Sequence, residues 1–197
     1  MTATNPDQRL HFPATARNRE PIADVLQQWL PNWGTILEIA SGSGEHAVEF
    51  QQRFSHLRWQ ASDPDPQHRD SINAWIRHTD QTNAMARALD IDVAQHPWPL
   101  PKDVQACLSA IICINLLHIS SKKCTTALLQ HAAERLPTQA PLMIYGPFKR
   151  YGAHTSLSNA NFDANPRERN IDWGVRDIEW IESLITTLPL QLMRCKS

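Results

Sequence analysis

Apolar positions along this chain switch repeatedly between helical spacing and short unbroken runs. Ile22, Val25, Leu26, Trp29 and Leu30 recur at helical intervals behind Pro21, and Pro31 stops the run. Pro21 suits the first turn of a helix, where its missing N–H does no harm. Gly34 to Ala40 is then nearly continuous in apolar residues and predicts a buried strand. Ala47, Val48, Phe50 and Phe54 predict a second helix, Leu57 to Ser62 a second strand, and Ile72, Trp75 and Ile76 a third helix. Ala88 to Val93 reads as a third strand, and Leu108 to Leu116 as the most apolar one. Ser120 or Ser121 can cap a helix carrying Ala127, Leu128 and Ala132. Pro141 to Gly146 predicts a fifth strand, and residues 147–176 read as polar and irregular. Asp177 can cap a last helix over Ile178–Leu188, and Leu190 to Cys195 can begin one more strand. Residues 1–16 read as an extended arm, and residues 17–197 as a single domain.

Strands that alternate with helices predict an α/β fold, a mostly parallel sheet covered by helices on both faces. Ligands of such sheets bind at the carboxyl ends of the strands. Composition changes this picture little. Hydrophobic residues make up 42% and charged residues 20% of 197, with a net charge of −1, so nothing marks a nucleic-acid surface. No apolar stretch is long enough to span a bilayer, and the N-terminus has no apolar leader core. Four cysteines form no C-x-x-C pair, which fits a reducing, cytoplasmic setting. Nine histidines are scattered, without H-E-x-x-H or a zinc-spaced cysteine–histidine cluster, and no metal is expected.

Chemistry concentrates in Glu38-Ile-Ala40-Ser41-Gly42-Ser-Gly44, where a strand ends, two glycines turn the chain and a helix begins. Glycines there let a ligand approach the backbone, and free N–H groups at the helix start can receive an anion. Gly42-x-Gly44-x-x-Ala47 formally satisfies the dinucleotide fingerprint. Glu38 inside the strand fits a diphosphate poorly and a cationic amino acid–sulfonium ligand well. Asp63 follows about twenty residues after Gly44, where a carboxylate can accept from ribose hydroxyls. Asp92 at the end of the third strand is placed for an adenine amine. Asn115 closes the fourth strand, and His118 just beyond it is a candidate base near neutral pH. The long polar segment offers Tyr145, Phe148, Tyr151, His154 and Asn159 as pocket-lining candidates.

Several strings carry a more specific likeness. PATARNREPI (13–22), LEIASGSGEHA (37–47), WQASDPDP (59–66), INLLHIS (114–120), YGPFKRYGAHTSLSNANFD (145–163) and WGVRD (173–177) resemble the methyltransferase-like 26 family, of DUF938 type. The resemblance runs from about residue 13 to 188 and implies a Rossmann-like class I methyltransferase fold with S-adenosylmethionine as cofactor. It implies Glu38, Ala40, Ser41, Gly42, Gly44, Asp63, Asp92 and Asn115 as cofactor residues. It also adds Arg17 and Asn18 to the residues that close over cofactor or substrate. Family members continue into a closing strand beyond the last helix, so the last strand is expected to be missing here, with an exposed sheet edge that favours homo-association.

The leading expectation is therefore methyl transfer to a small molecule, without a nucleic-acid or membrane partner. Two alternatives stand beside it. One is an inactive methyltransferase-fold module that binds cofactor or a protein partner; the other is an NAD-dependent oxidoreductase sharing the glycine loop and Asp63.

Overall fold

The computed structural model describes residues 7–156, 163 and 170–193. The chain separates into two compact units: Met1–Asp92, Pro97–Cys113 and Leu136–Met143 form the first, and Val93–His96, Ile114–Arg135 and Ile144–Ser197 the second.

In the first unit, helix α1 covers Pro13–Trp29 and buries Thr15, Asn18, Ile22, Ala23 and Leu26. It starts at Pro13 rather than at Pro21, so residues 13–16 of the expected arm are helical. Pro13 presets the first turn, and Pro21 lies inside the helix. An interior proline removes one ladder hydrogen bond and costs about 3 kcal/mol. Burying Ile22 and Leu26 contributes about 1.5–3 kcal/mol each and offsets that cost. Strand β1 (Thr35–Ile39), helix α2 (Glu45–Arg53), strand β2 (Arg58–Ala61) and helix α3 (Pro66–His78) follow. Asp65 caps α3 by accepting from the Gln67 N–H at 2.8 Å, which makes it turn chemistry, as its sequence context suggests. Helix α4 (Lys102–Cys107), which the apolar pattern did not show, leads into β3 (Leu108–Ile114).

Strands order as β2-β1-β3-β4, with β4 at Leu142–Tyr145. β1 runs parallel to β2, with Glu38 opposite Ala61, and parallel to β3, with Ile39 opposite Cys113. The Ile111 N–H donates to the Pro141 carbonyl at 3.1 Å, and Asn115 to Tyr145 at 2.8 Å, so β4 runs the same way. Every residue of β1 and β3 is buried, as an apolar run in a covered parallel sheet requires. Phe50 and Phe54 pack their rings on Trp59, and Ile36, Leu37 and Ile72 are fully buried as well.

The expected third strand is absent. Only Leu89 bridges, to Ser62. The Leu89 N–H bonds the Ala61 carbonyl and its own carbonyl accepts from Asp63. The next groups on that edge are already used: the Asp63 carbonyl accepts from Arg69 Nη1 at 2.9 Å and the Asp65 N–H donates to Asp63 Oδ1 at 3.0 Å, so the ladder stops there.

The second unit holds a 3-10 turn (Leu117–Ile119), helix α5 (Lys122–Arg135), and a small sheet ordered β6-β5-β7. Its strands are β5 (Phe148–Arg150), β6 (Ala153–His154) and β7 (Arg176–Asp177), so part of the segment expected to be irregular is sheet. Helix α6 (Ile178–Ile185) begins where expected, with Asp177 accepting from the Glu179 N–H at 3.2 Å. Residues 190–193 have no regular structure, in place of the expected start of a strand. No helix among the described residues is long and apolar enough to cross a membrane.

Candidate functional site

The turn after β1 is held in left-handed backbone conformations at Ala40 (φ 55°), Gly42 (φ 58°) and Gly44 (φ 90°). Side chains rarely tolerate that region, which is why glycines recur here. A Cβ on Gly44 would lie 2.7 Å from the Ile72 Cα, so α2 and α3 approach each other only because residue 44 has none. The turn is stitched to the end of β2. Ser41 N–H donates to the Ser62 carbonyl at 2.8 Å, and Ser62 Oγ donates to the Glu38 carbonyl at 2.7 Å.

Two carboxylates flank the turn. Glu38 is 1% exposed, and its Oε2 accepts from Trp59 Nε1 at 2.8 Å. Burial pushes its pKa up to about 7; the Trp59 and Ser41 hydrogen bonds pull it down, and the charge of Asp63 raises it further. No cation pairs with Glu38 among the described residues. Asp63 is also buried, and its Oδ2 accepts from the Gly42 N–H at 2.9 Å. Its Oδ1 accepts from the Asp65 N–H at 3.0 Å and lies 3.1 Å from His68 Nδ1.

What covers this turn has no signature in residue spacing. Phe12 lies 3.0 Å from the position a Cβ on Gly42 would take, and its ring meets His68 edge-on at 5.7 Å. Its N–H donates to Glu45 Oε2 at 2.8 Å. Leu10 is pinned too: its N–H donates to Ser71 Oγ, and Trp75 Nε1 donates to its carbonyl. Asn18 accepts from His46 Nε2 at 2.9 Å, and burial holds His46 down at a pKa of about 4. Asn18 therefore orients a neutral histidine, whereas Arg17 is exposed. Asp92 does not end a strand; it is exposed in an irregular stretch beyond the Leu89 bridge.

In the second unit, Asn115 follows β3 in a left-handed conformation (φ 59°). His118 is 4% exposed, in the 3-10 turn. A Cβ on Gly146 would sit 3.5 Å from His118 Nδ1 and 3.9 Å from Asn115 Oδ1, so these three residues share one locus. Burial foremost, then the Arg176 charge, lowers the His118 pKa to about 4, against the opposing pull of Asp163. Asp163 is buried, with Lys149 Nζ at 3.0 Å and His154 Nε2 at 3.4 Å from its Oδ2. Arg176 donates to the Ser120 carbonyl. Phe148 is half-buried, but Tyr145 is 41% and Tyr151 86% exposed, so the two tyrosines do not line a closed pocket. Asn159 lies outside the described residues. A cavity of about 640 Å³ lies at the amino-terminal end of β1 and β2, lined by Gly34, Gln51, Arg58 and Met85, and none of the candidate residues reaches it.

A parallel sheet whose first strand runs into a glycine turn, with a carboxylate closing the second, is the Rossmann-like architecture of class I methyltransferases. An O-methyltransferase family protein from Burkholderia thailandensis superposes with a TM-score of 0.73 at 17% identity, over 93% of this chain and 54% of that one. Human N-acetylserotonin methyltransferase in complex with its cofactor gives 0.73 at 12% identity, over 93% and 49%. Geranyl diphosphate C-methyltransferase from Streptomyces coelicolor gives 0.65 at 14%, over 88% and 61%. The chain spans about half the length of the first two and 61% of the third. A family model described as a protein of unknown function, DUF938, matches residues 9–196, and the chain belongs to that family.

Proposed function

We propose that this protein binds S-adenosylmethionine at the β1 turn and transfers its methyl group to a small molecule, as the likeness to the methyltransferase-like 26 family implies. The observation that carries this reading is the pair of buried carboxylates around a glycine turn. Glu38 is desolvated with only neutral donors beside it, so a cationic ligand group would relieve a charge the fold leaves uncompensated. Asp63, fixed by the Gly42 and Asp65 N–H groups, keeps carboxylate lone pairs for ribose hydroxyls. A diphosphate at the same turn would instead face the buried Glu38, which disfavours the nicotinamide reading.

The cofactor supplies an electrophilic methyl group. Glu38 balances the positive charge of its amino acid portion, Asp63 orients the ribose, and Gly42 and Gly44 admit close backbone approach. The family likeness also implies Asp92 for the adenine amine, from its exposed place beyond the Leu89 bridge. His118, neutral at pH 7, is the candidate acceptor of a proton from the methylated hydroxyl or amine. Its low pKa makes it a weak base, so its contribution falls at the lower end of the usual ~10²–10⁴-fold range. The likeness to geranyl diphosphate C-methyltransferase, whose namesake substrate is a small molecule, supports a small-molecule acceptor. The depressed pKa of His118 favours the second reading, a module that binds cofactor without turnover.

Calorimetric titration of S-adenosylmethionine, S-adenosylhomocysteine and NAD into wild type and Asp63→Asn tests the assignment. Binding of the first two should weaken by about tenfold to a hundredfold in the variant, the worth of hydrogen bonds to a charged group. Tighter binding of NAD would overturn it. Cofactor binding with no labelled methyl product across a metabolite screen would favour the non-catalytic module.

A further inference from the structure

Three side chains of the second unit that methyl transfer does not use converge at the C-terminal end of α5. His131 and Glu134 stand one turn apart on that helix, and His96 comes from the segment 93–96. His96 Nδ1 lies 3.9 Å and His131 Nδ1 4.0 Å from the same carboxylate oxygen, Glu134 Oε2. All three ligand atoms lie within 4.8 Å of one another, and the two imidazoles stack with centroids 4.8 Å apart.

The geometry points to a binding site for one divalent cation of the zinc class, held by His96 Nδ1, His131 Nδ1 and Glu134 Oε2. The tautomer of His131 follows from its other nitrogen. Nε2 lies 2.8 Å from the Gln95 carbonyl, which can only accept, so the hydrogen is on Nε2 and the lone pair is on Nδ1. Metal-binding histidines are oriented in this way, with the remote N–H tied to a carbonyl. The end of a helix, with its partial negative charge, favours a cation.

Ligand bonds of about 2.0–2.1 Å in a tetrahedral site separate ligand atoms by about 3.4 Å. The two 3.9–4.0 Å separations from Glu134 Oε2 therefore close by about half an ångström, and the two imidazole nitrogens, within 4.8 Å of each other, by up to about 1.4 Å. His96 and Glu134 are 61% and 53% exposed, so they can rotate inward while the buried His131 stays fixed. Two nitrogens and one carboxylate oxygen leave a coordination position open to water, the pattern of an exchangeable rather than a closed structural site. The ion would tie segment 93–96 to α5, and the site is independent of the methyl-transfer reading.

The test is zinc titration calorimetry, with cobalt absorption spectroscopy, on tag-free, chelator-treated protein. His96→Ala and Glu134→Gln alter exposed side chains, and circular dichroism checks that both variants fold. One zinc per chain is expected, with affinity falling at least about tenfold in each variant, since even outer-shell losses cost about 10–100-fold. Cobalt should give ligand-field bands without a thiolate charge-transfer band. Zinc should raise the melting temperature of wild type and not of the variants. Absence of wild-type binding, binding unchanged in both variants, or a thiolate band would each overturn the site.

Discussion

Replacing Glu38 by glutamine should make the protein more stable in mild alkali and leave it nearly unchanged in acid. Glu38 is fully buried, and its pKa stands at about 7 against 4.5 for an ordinary glutamate. For an acid whose folded pKa is raised, the contribution to stability is fully present below 4.5 and is lost as pH rises through 7. At 1.36 kcal/mol per unit, the loss amounts to about 3 kcal/mol by pH 8.5. Glutamine keeps the shape and can still accept from Trp59 Nε1 through its carbonyl oxygen, but it never ionises. The measurement is urea unfolding of both proteins at a series of pH values, compared as midpoint times slope. His46 and His118, held down at about 4, act in the opposite sense: their stability is present above pH 6.5 and lost as pH falls. Subtracting wild type from variant cancels those contributions. The difference should grow by about 3 kcal/mol between pH 4.5 and 8.5. A difference constant to within about 1 kcal/mol would refute the claim that Glu38 is an uncompensated buried acid.

The turn itself gives two substitutions of opposite sign. Gly44→Ala places a methyl 2.7 Å from the Ile72 Cα at φ 90° and should cost more than about 3 kcal/mol in urea unfolding, with loss of cofactor binding. Ala40→Gly relieves a left-handed alanine worth about 1–2 kcal/mol and adds about 0.5–1 kcal/mol of chain entropy, so it should raise stability by up to about 1 kcal/mol. A drop in melting temperature for Ala40→Gly would show that the Ala40 methyl packs usefully.

The sheet and its turn were legible because covered parallel strands must be apolar throughout. The runs at Thr35–Ile39 and Leu108–Ile114 are buried over their whole length and apolar except at Thr35, Glu38 and Ser109. Asp177 was legible as a cap because a short acidic side chain beside a helical pattern has few other uses. The Ala88–Val93 strand was misread because alternation alone does not reveal that Asp63 Oδ1 and Arg69 take the Asp65 N–H and the Asp63 carbonyl, the groups a longer ladder needs. The small sheet escaped notice because its strands are two or three residues long, too short for a period to show. Phe12 over Gly42 and the meeting of His96 with His131 join residues far apart in sequence, which no spacing rule records.

The pinning of Leu10 to Ser71 and Trp75 also orders events in time. Those hydrogen bonds join residues 61 and 65 positions apart. A ribosome must therefore complete α3 before Leu10 can find its partners. Closing so long a loop costs entropy that only the finished α2–α3 pair can repay, so the segment docks late and detaches early. Amide exchange at Leu10 and Phe12 should thus report a local opening that leaves β1 and β3 closed.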